Sequence, residues 1–314
     1  MTPEYRVVAE GLRFPEGPLE LPNGDILITE IEAGRLTKIR QDGSKEIFAV
    51  TGGGPNGAAI GPDEAIYVTQ NGGFEWSESL QTDGTNILRP GDRANDYTNG
   101  SIQRVSAEGN SVETLYDNCN GEPLKGPNDL VFDHEGNFYF TDLGKRYGRQ
   151  RDITGLYYAS PDGKFIKEIV FPFESPNGIG LSPDEKTLYV AETPSGRLWA
   201  FDIVSPGEVK NRRVLGHAPP VEGINQAMFD SLCVDSEGNI IIATILNGGI
   251  TSISPDGKHT THISLPDGIT TNPCFAGPEL RTLYVTLGST GRLIAFDNWP
   301  TQGLKLAFQK GVTT

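Results

Sequence analysis

Apolar and polar positions along the chain recur in one phrase. A small polar motif precedes an apolar run, an Asp, Pro or Gly turn follows, and a Tyr- and Thr-rich run comes next. Asp133-His-Glu-Gly-Asn137 leads into Phe-Tyr-Phe-Thr-Asp142, and Asp235-Ser-Glu-Gly-Asn239 into Ile-Ile-Ile-Ala-Thr244. Ser182-Pro-Asp-Glu-Lys186, Gly61-Pro-Asp-Glu-Ala65, Gly277-Pro-Glu-Leu-Arg281 and Leu21-Pro-Asn-Gly-Asp25 open the same step. Branched and aromatic runs bounded by turn residues read as strand–turn–strand. A third strand follows in each unit, as in Gly34-Arg-Leu-Thr-Lys-Ile39, Gly196-Arg-Leu-Trp-Ala-Phe201 and Gly291-Arg-Leu-Ile-Ala-Phe296. Most third strands lead through an Asp-Gly or similar turn into a fourth. Six units of four short strands predict an all-β fold, a six-bladed β-propeller in one domain over 1–314. No segment sustains an i, i+3, i+4, i+7 apolar pattern over ~12 residues, so a helical solenoid is excluded.

Two segments stand outside the repeat. Tyr5-Arg-Val-Val-Ala9 is an orphan strand before the first unit, expected to pair into the last blade and close the ring. Residues 74–100 form a long, polar, weakly periodic insertion in the second blade. Loops beyond ~12–15 residues are uncommon in compact domains and often functional. This one reads either as a surface excursion or as a flap over the channel mouth bearing Phe74, Trp76 and Tyr97.

Composition narrows the partners. The 314 residues carry 26 basic and 41 acidic side chains, a net charge of −15. That balance speaks against nucleic acid or an anionic membrane, both of which select basic surfaces. It fits a neutral substrate and a carboxylate product that is readily expelled. The 39 Gly and 22 Pro fall at the turns between short apolar runs, marking strands and not disorder. The three Cys, at 119, 233 and 274, are too far apart for a disulfide framework or a metal–thiolate motif. Met1-Thr-Pro-Glu-Tyr-Arg6 lacks the apolar stretch of a signal peptide, and no apolar run reaches ~18 residues. The expectation is a soluble cytoplasmic protein.

Aligning the six units on their first strands places Glu16, Asn56, Asn128, Asn177, Asp230 and Asn272 in register. In a propeller the first strand of each blade lines the central channel, so these side chains are expected to form a ring of oxygens. Asn and Asp are favoured turn residues, and six independent turns would give the same letters. Their shared position ahead of an apolar strand argues for the ring. Carboxylate and amide oxygens suit a hard cation of the Ca²⁺ type, with Mg²⁺, Mn²⁺ or Zn²⁺ left open. Without a cation, two converging carboxylates would repel each other.

Pro15-Glu-Gly-Pro18, Pro127-Asn-Asp129, Ser175-Pro-Asn-Gly178 with Ser182-Pro-Asp184, and Phe229-Asp230 before Asp235-Ser-Glu-Gly-Asn239 together resemble the gluconolactonase/regucalcin (senescence marker protein) family. The resemblance runs from about Phe14 to Phe296. It implies a six-bladed propeller holding a channel cation through Glu16, Asn128, Asn177 and Asp230. Asn56 and Asn272 would then line the pocket or reach the metal through water. One departure is visible. Gly126 stands two residues before Asn128, where sugar-acid lactonases of this family often carry Arg, which points away from a gluconolactone-type substrate but not from lactone chemistry.

The expected activity is metal-dependent opening of a small lactone by water, with Asp230 as first choice of base and Asp129 as second. Trp76 and Tyr97 are candidate substrate contacts with Asn56 and Asn272. A phosphotriesterase-type hydrolase on the same site, or a calcium- or ligand-binding propeller without turnover, are the competing readings. Rival motifs carry less. Gly52-Gly-Gly-Pro-Asn-Gly57 matches a dinucleotide fingerprint, but its proline and the β run after it deny the required helix. His259 and His262 fall in an outer-strand region, and His134 in a turn. Cys233 and Cys274 fall in first strands, where free Cys usually acts as a small buried hydrophobe. Asp142 reads as a second cation ligand or as a strand-end Asp satisfying backbone amides.

Overall fold

The computed structural model describes residues 4–220, 223 and 227–309. Six four-stranded antiparallel sheets surround a channel. Their inner strands are Pro15–Glu20, Pro55–Ile60, Pro127–Phe132, Pro176–Leu181, Met228–Val234 and Thr270–Ala276. In each of the first five blades the next three strands follow in chain order outward. The sixth blade takes its outer strand from Arg6–Ala9, with Arg6 opposite Ala295 and Val7 opposite Ile294. The two ends of the repeat are thereby tied, as the orphan strand predicts, and the ring has no open seam.

Apolar side chains on facing blade surfaces form the core. Tyr67 of the second blade meets Phe132 of the third edge to face, with ring centroids 5.0 Å apart. Ile241, Phe275 and Leu283 pack the fifth blade on the sixth. Burying Leu, Ile or Phe contributes roughly 1.5–3 kcal/mol per side chain, so each inter-blade seam is held by several such contacts.

The insertion is more regular than its sequence suggests. Phe74–Leu80 and Asn86–Arg93 form a two-stranded ribbon, with Trp76 opposite Pro90 and Glu78 opposite Leu88. Only Leu88 is fully buried. A ribbon solvated on most of its surface needs no strict apolar alternation, so its sequence does not betray the strands. A second small ribbon pairs Arg146–Tyr147 with Gln150–Arg151 in the third blade. No helix among the described residues is long and apolar enough to cross a membrane.

Candidate functional site

Each inner strand carries a register break where the ring residue sits. The breaks fall between Glu16 and Leu19, Pro55 and Ala58, Pro127 and Leu130, Pro176 and Ile179, Phe229 and Leu232, and Thr270 and Asn272. A bulge bends a strand and re-aims a side chain. The preceding Pro of the first four blades suits the opening position of a strand, where its missing N–H is tolerated. The Gly after the ring residue answers to packing. A Cβ on Gly57 would lie 2.7 Å from Asn128 O and 2.6 Å from Asp129 Oδ1. The Pro-Asn-Gly motif is thus a bulge packed against the bulge of the next blade.

The second strands lock this arrangement. Thr29 Oγ1 donates to Asn56 O at 2.6 Å, Thr69 Oγ1 to Asn128 O at 2.5 Å and Thr141 Oγ1 to Asn177 O at 2.6 Å. In each case a threonine of one blade holds the ring residue of the next. The residue after these threonines ties down the loop entering the ring. Glu30 accepts from Arg13 N at 2.6 Å, and Asp142 accepts from Lys125 N and Gly126 N, both at 2.7 Å. Asp142 also accepts from Gly144 N at 3.0 Å, so its carboxylate serves backbone amides. The repeated Thr-Glu, Thr-Gln and Thr-Asp pairs were visible in the sequence, and they signal these supports.

The six ring side chains are all buried. Glu16 accepts from Gly17 N at 3.4 Å and is hydrogen-bonded to Asn272. Asn177 Nδ2 donates to Thr193 Oγ1 at 3.0 Å, which turns its amide oxygen to other partners. Asn56 Oδ1 and Asn128 Oδ1 are buried without any hydrogen-bond partner. An acceptor so orphaned costs about 1–3 kcal/mol. Burial, with the charges of Asp230 and Asp129 nearby, pushes the Glu16 carboxyl well above its usual range. Burial pushes Asp230 up to about 8, against a hydrogen bond from Asn177, and Asp129 adds to the rise. Burial likewise pushes Asp129 up to about 7.

Two unpartnered amide oxygens beside two desolvated carboxylates form a hard-oxygen donor set with uncompensated negative charge. A divalent cation of the calcium type fits it, because such ions take oxygen ligands in flexible number. Among the described residues no group of three or more His, Cys, Asp or Glu converges to hold a metal. A cation here would draw on amides as much as carboxylates, which disfavours a zinc-type site. Glu16, Asn128, Asn177 and Asp230 are the residues that would hold it, with Asn56 alongside.

The ring divides the channel. On one side a cavity of about 490 Å³ is lined by Glu16, Asn56, Asn128, Asn177 and Asp230. Phe14, Ile31, Phe74 and Ile269 give it apolar walls, and Arg89, Lys145, Arg146 and Arg151 also line it. On the other side a cavity of about 80 Å³ is lined by Asp129, Asn272, Cys233 and Cys274, among others. The segment after the last blade closes that end. Leu304 N donates to Val234 O at 3.0 Å and Gln309 Nε2 to Phe275 O at 3.2 Å. The larger cavity is therefore the open end of the channel.

This division sorts the sequence candidates. Asp230 and Asn56 face the larger cavity, whereas Asp129 and Asn272 line the closed one. Asp129 accepts from Leu130 N at 2.9 Å, the amide next to it in its own bulge. The insertion does reach the cavity, but through Phe74, Arg89, Pro90 and Gly91. Trp76 and Tyr97 do not line it. Trp76 backs Phe14, with centroids 5.0 Å apart, and Tyr97 Oη donates to Lys125 O at 2.6 Å. Cys233 and Cys274 are half-buried in the wall of the closed cavity, and desolvation raises both thiols, Cys274 to about 12. His134 pairs with Glu185 at the surface, and His262 Nδ1 meets Thr251 Oγ1 at 3.0 Å.

Sequence reasoning missed Lys145. Its Nζ is buried, donating to Asn71 Oδ1 at 2.9 Å and Gly73 O at 2.7 Å, 3.6 Å from the Phe74 ring centroid. Burial lowers its pKa well below the usual lysine value. It anchors the base of the ribbon that carries Phe74. Its signal was the run Lys145-Arg-Tyr-Gly-Arg-Gln-Arg151, four cations in seven residues of an acidic chain.

A six-bladed propeller with a carboxylate–amide ring at the floor of the larger channel cavity defines the class. The chain belongs to the SMP-30/gluconolactonase/LRE-like family, whose model matches residues 14–289. It is 26% identical over 306 residues to a gluconolactonase of Zymomonas mobilis, covering 89% of this chain and 78% of that one. It is 29% identical over 213 residues to the diisopropyl-fluorophosphatase of Loligo vulgaris, covering 64% and 66%. A solved gluconolactonase structure from Xanthomonas campestris superposes with a TM-score of 0.72 at 22% identity, over 95% of this chain and 89% of that one.

Proposed function

We propose that this protein is a divalent-cation-dependent hydrolase that opens a small lactone. The observation that carries the reading is the buried ring of Glu16, Asn128, Asn177 and Asp230, with orphaned amide oxygens, at the floor of a cavity large enough for a small molecule. The relatives named gluconolactonase support the substrate class. A bound divalent cation supplies Lewis-acid polarisation of a carbonyl oxygen and stabilises charge developing there.

The chain's own residues do the rest. Phe14, Ile31, Phe74 and Ile269 bury the apolar face of the substrate and exclude bulk water. Two ring carboxylates face this cavity, Glu16 and Asp230. Glu16 is given the role of ligand and charge balance, and Asp230 takes the proton of the attacking water. The water oxygen forms the new bond to the carbonyl carbon, the ring C–O bond breaks, and Asp230 returns the proton it took to the leaving alkoxide. One water is consumed and one hydroxy acid is made, with no redox change. Asp129, on the far side of the ring, acts as a positioning residue for the Asn128 bulge and its neighbours.

The test compares Asp230→Asn with Asn177→Asp, measuring kcat by pH-stat on a lactone panel and bound metal in the same samples. General-base assistance is worth ~10²–10⁴-fold. Asp230→Asn, metal-loaded, is expected to lose activity on that scale, and Asn177→Asp to lose less. Near-wild-type kcat in metal-loaded Asp230→Asn would reduce Asp230 to a ligand. Fluorophosphate turnover without lactone turnover in the wild type would favour the phosphotriesterase reading, which the squid relative keeps in view.

A further inference from the structure

The cavity mouth has a charge opposite to that of the chain. The protein carries −15 overall, and its acidic balance suggests a neutral substrate. The larger cavity reverses that picture: Arg89, Lys145, Arg146 and Arg151 line it against Glu16 and Asp230. Lys145 is committed to Asn71 and Gly73. The three arginines are not so committed. Arg89 lies on the Asn86–Arg93 strand, exposed, with no acidic partner among the described residues.

Arg146 and Arg151 are direct cross-strand partners on the small ribbon of the third blade. Like charges placed opposite each other destabilise a ribbon. Their nearby acids relieve this only in part. Asp92 accepts from Arg146 Nε at 2.9 Å, which leaves the terminal guanidinium nitrogens uncommitted. Glu174 stands 3.7 Å from Arg151, beyond hydrogen-bonding distance. The ribbons themselves are fastened together. Asp92 also accepts from Gly148 N at 2.6 Å, and the Arg93 guanidinium lies 4.4 Å from the Tyr147 ring centroid. Three arginines with spare donors are thus held over one small cavity by interlocked ribbons that project from the second and third blades.

We propose that the substrate carries an oxyanion, a carboxylate or a phosphate, which Arg89, Arg146 and Arg151 hold at the mouth while its lactone ring lies over the carboxylate–amide ring. The proposal rests on the lactonase reading and names the substrate class within it. The planar guanidinium fork matches the oxygens of either anion. A cavity of about 490 Å³ takes a small molecule, and the acidic exterior turns larger polyanions away. The arginines also raise the local concentration of such a substrate by electrostatic steering.

Three probes decide it: γ-butyrolactone bearing a ring carboxylate, the methyl ester of that acid, and γ-butyrolactone bearing a phosphomonoester. At low salt one of the two charged lactones is expected to exceed the methyl ester in kcat/KM by about tenfold or more, through KM, with the advantage shrinking as salt screens it. Which one leads tells carboxylate from phosphate. The double variant Arg89→Gln/Arg151→Gln is expected to cut the charged-to-ester ratio by about tenfold. A wild-type ratio near unity, or a ratio that the double variant leaves in place, overturns the proposal. If no lactone of any charge is opened, the lactonase reading fails by itself. The anion site is then read by calorimetry with the ring-opened dicarboxylate. Tighter binding to wild type than to the double variant supports the arginine site, and equal binding overturns it.

Discussion

Thr141 shows how one side chain serves two blades. Its hydroxyl receives Asp129 N at 3.1 Å within its own blade and donates to Asn177 O at 2.6 Å in the next. Thr141→Val keeps the shape and removes both bonds, leaving a buried amide and carbonyl without a partner. The expected cost is about 1–3 kcal/mol in denaturant unfolding. A matching loss of metal affinity should accompany it, since Asn128 and Asn177 flank the break. Unchanged stability would show that the inter-blade bond is dispensable. The ring residues were legible because each opens an apolar strand at a fixed place in a repeat. Side-chain direction was not legible: Asn128 and Asp129 are neighbours in sequence, yet a bulge sends one to the open cavity and the other to the closed one. The cationic run at 145–151 was visible, but the burial of Lys145 was not, since it depends on a ribbon from another blade folding over it.

The ribbon Phe74–Leu80/Asn86–Arg93 is the element most separable from the propeller. Its tip is exposed, and its base is pinned by Lys145 beneath Phe74. Replacing residues 77–91 by a short turn removes Arg89, Pro90 and Gly91 from the cavity wall and keeps Phe74. The expected outcome is a rise in KM of several-fold with metal affinity within about twofold, because no proposed ligand lies on the ribbon. Loss of metal binding with unchanged KM would contradict its placement as a cavity wall. The blades were readable as elements because half-buried strands alternate and turn residues punctuate them. The ribbon was read as irregular because solvent, not a core, faces most of its residues. Which of its aromatics meets the cavity was settled by register: Phe74 at the base lines it, while Trp76 packs behind on Phe14.

At the scale of the whole molecule, the ring imposes a pH dependence. Glu16, Asp129 and Asp230 all have folded-state values raised by burial, Asp129 to about 7 and Asp230 to about 8. Unfolded Asp and Glu titrate near about 4. Between about pH 4 and pH 8 the cation-free native state therefore binds more protons than the unfolded chain, and its stability falls as pH rises. Surface carboxylates such as Asp162, lowered to about 2 by Ser160 and Lys164, act in the opposite sense. Their contribution is complete above about pH 4, so the two effects separate. Chelator-treated protein is expected to lose Tm from pH 5 to pH 8, and the Tm gained on adding Ca²⁺ is expected to grow over the same range. A calcium gain independent of pH would mean that these carboxylates do not face the ion. The closed rear end and the N-terminal strand in the last blade make the ring one cooperative unit, so these shifts should appear in a global unfolding transition.

The most direct measurement is a metal titration of chelator-stripped protein, following lactone hydrolysis by pH-stat and bound metal by elemental analysis on the same samples. The proposed function predicts that stripped protein is inactive and that activity returns in proportion to bound divalent cation. It should saturate at about one ion per chain, with Glu16→Gln requiring more cation to reach its plateau. Full turnover by protein shown to hold no divalent cation would contradict the account.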